Sequence, residues 1–189
     1  MKRRSFIFSS MLLSPLFSFI HKIPQLPGSG KGFKVGSGEA RFGVHYKMKG
    51  VTSNTIDIKI SGKDTGNELA VFEQTGQTPK GGPPLHIHPN QDEWFYVVEG
   101  EYLFQVGDYR YMMKAGDTIF LPRNLQHAFI QLTDRAKVLV SYLPAGKMEE
   151  FFAVTDQWES PPTQEEVVQV FADHEMVVVG PPIAVDDEN

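Results

Sequence analysis

Turn residues cut the middle of this chain into runs too short for a helical core. Glu99-Gly100, Gly107-Asp108 and Gly116-Asp117 separate Glu93–Val98, Tyr102–Val106, Tyr109–Met113 and Thr118–Leu121, and Ala128–Gln131 and Lys137–Tyr142 follow. These runs are rich in β-branched and aromatic residues and have the length of strands. Upstream, Arg41–Met48, Thr55–Ile60 and Glu68–Glu73 alternate in part and are punctuated by Gly50, Gly62 and Gly66. Many short strands at close spacing predict an all-β sandwich or barrel.

Composition narrows the chemistry. The 189 residues suit one domain with appendages, and 41% hydrophobic and 22% charged residues are ordinary for a globular chain. The chain has no cysteine, which excludes disulfides, zinc–thiolate and iron–sulfur sites and a thiol nucleophile together. Any metal must be held by nitrogen and oxygen. Lys2, Arg3, Arg4 and Lys22 stand among the first 22 residues without an acid, leaving 14 bases against 23 acids in the rest. A body of that sign is a poor partner for phosphate backbones, so no nucleic-acid partner is expected.

The two ends read differently from the middle. Residues 1–22 place Arg3-Arg4-Ser5-Phe6-Ile7 before an apolar stretch broken by serines and Pro15. This resembles a twin-arginine export signal, which predicts an exported, periplasmic protein with no stable membrane span after processing. Residues 23–38 read as a linker, 39–145 as the barrel, and 146–189 as a C-terminal helix and strand packed on it. In the last segment Thr163-Gln164-Glu165-Glu166 is a capping-box pattern, and Val167, Val170 and Phe171 form one apolar helical face. Lys147–Val154 reads as a shorter helix and Val177–Gly180 as a final strand.

The segment that carries chemistry is His86-Ile87-His88-Pro89-Asn90-Gln91-Asp92-Glu93. Strand alternation sends His86 and His88 to the same side. Pro89-Asn90 favours a turn that could swing Glu93 back toward them from the next strand, on one wall. Two imidazoles and a carboxylate suit Fe, Mn, Ni, Cu or Zn as divalent ions. His127, far along the chain, could complete four ligands. His21, His45 and His174 have no partner at ligand spacing and read as structural or surface residues.

These residues resemble the cupin superfamily, in particular its small single-domain, quercetinase-like members. The first cupin motif asks for His-x-His, three or four residues, Glu, six residues and Gly. His86, His88, Glu93 and Gly100 meet it, with Gly81 one position close to the leading glycine. The second asks for Gly, five residues, Pro-x-Gly, two residues, His, three residues and Asn. Gly116, Pro122 and His127 meet it, with Asn124 in place of the glycine and Gln131 in place of the asparagine. Asparagine is the next most tolerant residue for a left-handed turn.

The resemblance implies a single cupin jelly-roll β-barrel with a short C-terminal helical appendage. It also implies one divalent transition metal held by His86, His88, Glu93 and His127. By alternation Phe95 and Val97 share the inner face with Glu93, and Phe129 and Gln131 share it with His127, so these four are candidate substrate-pocket residues. The reaction implied is that of a metal-dependent dioxygenase acting on a small phenolic or enolisable molecule, with Glu93 as catalytic base. Redox-neutral isomerase, cyclase or lyase chemistry and a non-catalytic small-molecule- or metal-binding barrel are the alternatives, because one fold hosts many reactions. Dimers are common among cupins, which leaves a homodimer open.

Overall fold

The structure, a computed structural model, describes residues 31–48, 54–77 and 79–185. The export signal expected at 1–22 and the first part of the 23–38 linker lie outside these residues. Eleven strands and three helices are found among them. The strands are β1 (His45–Met48), β2 (Asn54–Ile60), β3 (Ala70–Gly76), β4 (Pro84–Ile87), β5 (Asp92–Glu99), β6 (Glu101–Val106) and β7 (Tyr109–Lys114). They continue with β8 (Thr118–Leu121), β9 (His127–Gln131), β10 (Ala136–Leu143) and β11 (Val177–Pro182). The helices are α1 (Gly62–Thr65), α2 (Met148–Asp156) and α3 (Gln164–Asp173).

The strands form two antiparallel sheets, β1-β2-β3-β10-β5-β8 and β11-β4-β9-β6-β7. Hairpins are set by the expected turns. Gly100 joins β5 to β6 at φ +80, and a Cβ there would lie 2.5 Å from the Arg135 carbonyl oxygen, so no other residue fits. Alternation then decides what faces inward. On β3, Ala70, Phe72, Gln74 and Gly76 are buried and the residues between them are half-exposed. On β5, Glu93, Phe95 and Val97 are buried while Tyr96 is exposed. The inner faces meet in an aromatic core where Phe104 packs on Phe95 and Phe129 at ring separations of 5.1 and 5.3 Å.

The C-terminal segment does more than decorate this barrel. Thr163 caps α3 as the sequence predicts: Glu166 N–H donates to Thr163 Oγ1 (3.2 Å) and Thr163 N–H to Glu166 Oε2 (2.7 Å). The helices turn apolar faces toward the barrel, with Phe152 4.9 Å from Phe72 and Phe151 5.2 Å from Phe171 between ring centroids. β11 then joins the edge of the five-stranded sheet, pairing Val178 with His86. Among the described residues no helix is long and apolar enough to cross a membrane.

Candidate metal centre

His86 lies on β4 and faces His127, its register partner on β9. His88 follows just after β4, two residues on and therefore on the same inner face. Glu93 comes from β5, which belongs to the other sheet. The sequence reading placed the carboxylate on the same wall as the two imidazoles. The turn at Pro89-Asn90 instead carries the chain across the barrel, so three imidazoles face one carboxylate from opposite walls.

One ligand atom from each of the four residues lies within 4.8 Å of all the others, and all four residues are buried. Glu93 Oε1 is 3.0 Å from His88 Nε2 and 2.9 Å from His127 Nε2. Glu93 Oε1 and His127 Nε2 nevertheless make no hydrogen bond of acceptable geometry. Buried polar atoms that crowd together without pairing would cost about 1–3 kcal/mol each. A cation between them removes that cost, so the donor set fits a metal.

The far side of each ring supports the same reading. His86 Nδ1 donates to the Pro84 carbonyl (2.8 Å) and His127 Nδ1 to the Leu125 carbonyl (3.0 Å). A carbonyl can only accept, so the proton sits on Nδ1 and the Nε2 lone pair is free. His88 Nδ1 lies 3.1 Å from Gln91 Oε1. The Gln91 amide nitrogen donates to the carbonyls of Pro144 (3.0 Å) and Ala145 (2.9 Å), which fixes its oxygen toward His88. Three Nε2 atoms are thereby aimed at one point.

Electrostatics follow from the burial. Burial would raise the Glu93 carboxyl, but the charges of His88 and His127 outweigh it and hold the group well below the ordinary range. His86 is held well below its ordinary value by burial and by its two histidine neighbours, so it is neutral. For His88, burial pulls downward, but the Glu93 charge together with the Glu93 and Gln91 side-chain interactions outweighs it, so the group is raised. Tyr142, the register partner of Glu93 on β10, is pushed up by burial and by the Glu93 charge, so its phenol stays protonated.

A cavity of about 60 Å³ opens on the four residues. Phe129 lines it. Phe95, Val97 and Gln131 do not line it. Phe95 and Val97 pack into the core instead, Phe95 against Phe104 and Phe129. Gln131 sits at the far end of β9, where its amide donates to the Thr133 carbonyl (2.7 Å) and its oxygen covers Gly76. The rest of the lining comes from residues that the sequence reading did not place in the pocket. Met148, Phe151, Phe152, Phe171 and Met176 close one side from the C-terminal segment, and Gln74 and Tyr142 add polar groups. The only signal for the last two was a polar side chain at an inward position of an alternating run. Of the remaining histidines, His45 Nδ1 lies 2.7 Å from Asp57 Oδ1, and His174 donates to the Val170 carbonyl (2.7 Å).

Residues 76–142 match the cupin domain family, and these residues carry all four members of the cluster. The chain carries a cupin domain. Over 116 residues this cupin is 28% identical to quercetin 2,3-dioxygenase of Bacillus subtilis (strain 168), covering 59% of the chain and about a third of that enzyme's length (34%). In fold it is similar to KdgF from Halomonas sp. at a TM-score of 0.51 and 15% identity, over 61% of this chain and 94% of the other. It is likewise similar to an RmlC-like cupin from Shewanella frigidimarina NCIMB 400, at a TM-score of 0.51 and 19% identity, over 64% and 96% of the two chains.

Proposed function

We propose that this cupin is a metal-dependent dioxygenase acting on a small phenolic or enolisable substrate. The observation that carries the reading is the contrast between the cluster and the cavity on which it opens. Three nitrogens and one carboxylate converge at a buried point, while the rest of the lining is largely aromatic and thioether, with no Lys or Arg. A substrate that arrives as an anion, such as a carboxylate or a phosphate, would find no Lys or Arg there to pair with. A neutral hydroxyl compound that ionises only on binding fits better. The 28% identity to a quercetin dioxygenase supports the same class.

A divalent metal held by His86, His88, Glu93 and His127 would supply Lewis acidity toward an enolic or phenolic oxygen and a site of reaction with O₂. The protein's own groups divide the remaining work. Glu93 is the one carboxylate lining the cavity, and in this reading it takes the proton of a substrate hydroxyl. The carbonyls of Pro84 and Leu125 and the Gln91 amide hold the imidazoles in one tautomer. Phe151, Phe152 and Phe171 keep water out, so that a reactive intermediate meets few competing nucleophiles.

The test is an oxygen-electrode screen with phenolic and enolisable compounds on metal-loaded protein. O₂ uptake stoichiometric with product supports the reading, and product without O₂ uptake replaces it with isomerase, cyclase or lyase chemistry. Glu93→Gln should lower turnover by ~10²-fold or more beyond any loss of metal. Loss only in proportion to metal would make Glu93 a ligand and nothing else.

A further inference from the structure

The cavity holds two polar side chains that the metal centre does not use. Gln74 and Tyr142 are each only 6% exposed, and both line the cavity. Neither the Gln74 amide nor the Tyr142 hydroxyl makes a hydrogen bond to another described residue. Their polar atoms are not enclosed by protein, so they open on the space of the cavity that both residues line. Tyr102 shows the contrast: its hydroxyl is fully enclosed and unpaired in the core and lines none of this cavity.

The two groups stand at different levels. Tyr142 pairs with Glu93 across β10 and β5, so it stands beside the cluster. On β3, Ala70 is level with Tyr142 while Gln74 is level with Val138, four residues farther along. Gln74 therefore faces a part of the cavity away from the cluster, near Met48 and Ile56. The chamber thus has a metal-and-phenol end, an amide end, and apolar walls between. Its volume of about 60 Å³ is well below the ~300–1,000 Å³ of pockets for drug-sized ligands.

We propose that Gln74 and Tyr142 form a polar subsite that selects a small, uncharged, single-ring substrate with oxygens at opposite ends. One oxygen lies at the cluster, within reach of Tyr142, and the other hydrogen-bonds to the Gln74 amide. This deepens the dioxygenase reading and rests on it for the placement of the first oxygen. It excludes a flavonol-sized ligand, because three fused or linked rings are too large for a cavity of about 60 Å³.

Binding can be read without turnover. The protein is loaded with Zn(II), kept under argon, and titrated calorimetrically with hydroquinone, phenol, benzoate and quercetin. Hydroquinone and phenol differ by one hydroxyl at the far end of the ring. Hydroquinone should bind about tenfold more tightly than phenol, the worth of one good hydrogen bond. Gln74→Leu should erase that difference and leave phenol unchanged, and Tyr142→Phe should weaken both probes about equally. Benzoate and quercetin should bind more weakly than hydroquinone. Equal binding of hydroquinone and phenol to the unsubstituted protein overturns the subsite, and this comparison stands even if a variant fails to fold. Quercetin binding more tightly than hydroquinone overturns the single-ring class. Because no O₂ is present, these outcomes are independent of the oxygen-electrode result, which tests the reaction itself.

Discussion

Replacing Gln91 by Leu should damage the metal centre without touching a ligand. The side chain is 2% exposed and makes three hydrogen bonds, one from His88 Nδ1 and two to the Pro144 and Ala145 carbonyls. At a net ~1 kcal/mol each, their loss is worth about 3 kcal/mol, of which the added apolar contact of Leu returns ~1 kcal/mol. The metal-free protein should therefore lose about 2 kcal/mol in a guanidinium unfolding experiment. Metal affinity should fall ~10–100-fold in chelator competition, because the His88 ring is no longer held in tautomer and angle. Gln91→Glu separates the two roles. A carboxylate still accepts from His88 Nδ1 but faces the Pro144 and Ala145 carbonyls with no donor, so stability falls while affinity is kept. If Gln91→Leu binds metal within twofold of the unsubstituted protein and unfolds at the same midpoint, the positioning argument is wrong.

Metal uptake must displace the proton that Glu93 keeps on His88, whose pKa is raised above its ordinary 6.5 despite burial. Affinity should be steady above that raised value and fall about tenfold per pH unit below it, and a flat chelator-competition profile between about pH 5.5 and 8 would contradict this. Tyr102→Phe removes a buried hydroxyl with no partner, so thermal unfolding should show a stability unchanged or raised by up to ~1 kcal/mol; a clear loss would reveal a partner for the hydroxyl. Gly76→Ala puts a Cβ 1.6 Å from Gln131 Oε1 and should cost about 1–3 kcal/mol, with Gln131→Ala in the same chain recovering part of it if that contact is the cause.

The parts of this molecule legible in the sequence are those governed by local rules. Alternation in Glu93–Val98 separates buried Phe95 and Val97 from exposed Tyr96. The Thr163 to Glu166 spacing gives a capping box. Asn124, standing where the cupin motif has glycine, takes a left-handed φ of 64 and donates its N–H to the His88 carbonyl (3.0 Å). What local rules do not encode is which end of a strand meets the cavity. Phe95 and Val97 share a face with Glu93 but pack into the core, and Gln131 shares a strand with His127 but is held by the Thr133 carbonyl at that strand's other end. Nor does spacing tell adjacent strands of one sheet from facing strands of two, which is why Glu93 lies opposite the imidazoles. Gln91 was invisible because its role depends on two carbonyls more than fifty residues away. The aromatic wall of α2 and α3 was visible as an apolar face, but not what that face covers.

The pairing of β11 with β4 sets a calendar for the molecule. Val178 meets His86, and the Phe171 ring lies 5.3 Å from the His86 ring, so the strand that carries His86 is covered by segments made after it. While the chain is being synthesised, β4 is an open edge beside a chamber that has no outer wall. A metal can enter freely in that interval, and once Met148, Phe171 and Met176 are seated, exchange requires them to lift. In hydrogen-exchange pulse labelling during refolding, the β4 amides facing β11 should gain protection together with α3, after the Phe104 hairpin. Metal added before that step should load fast, and metal added afterwards should load at the rate at which the C-terminal segment opens.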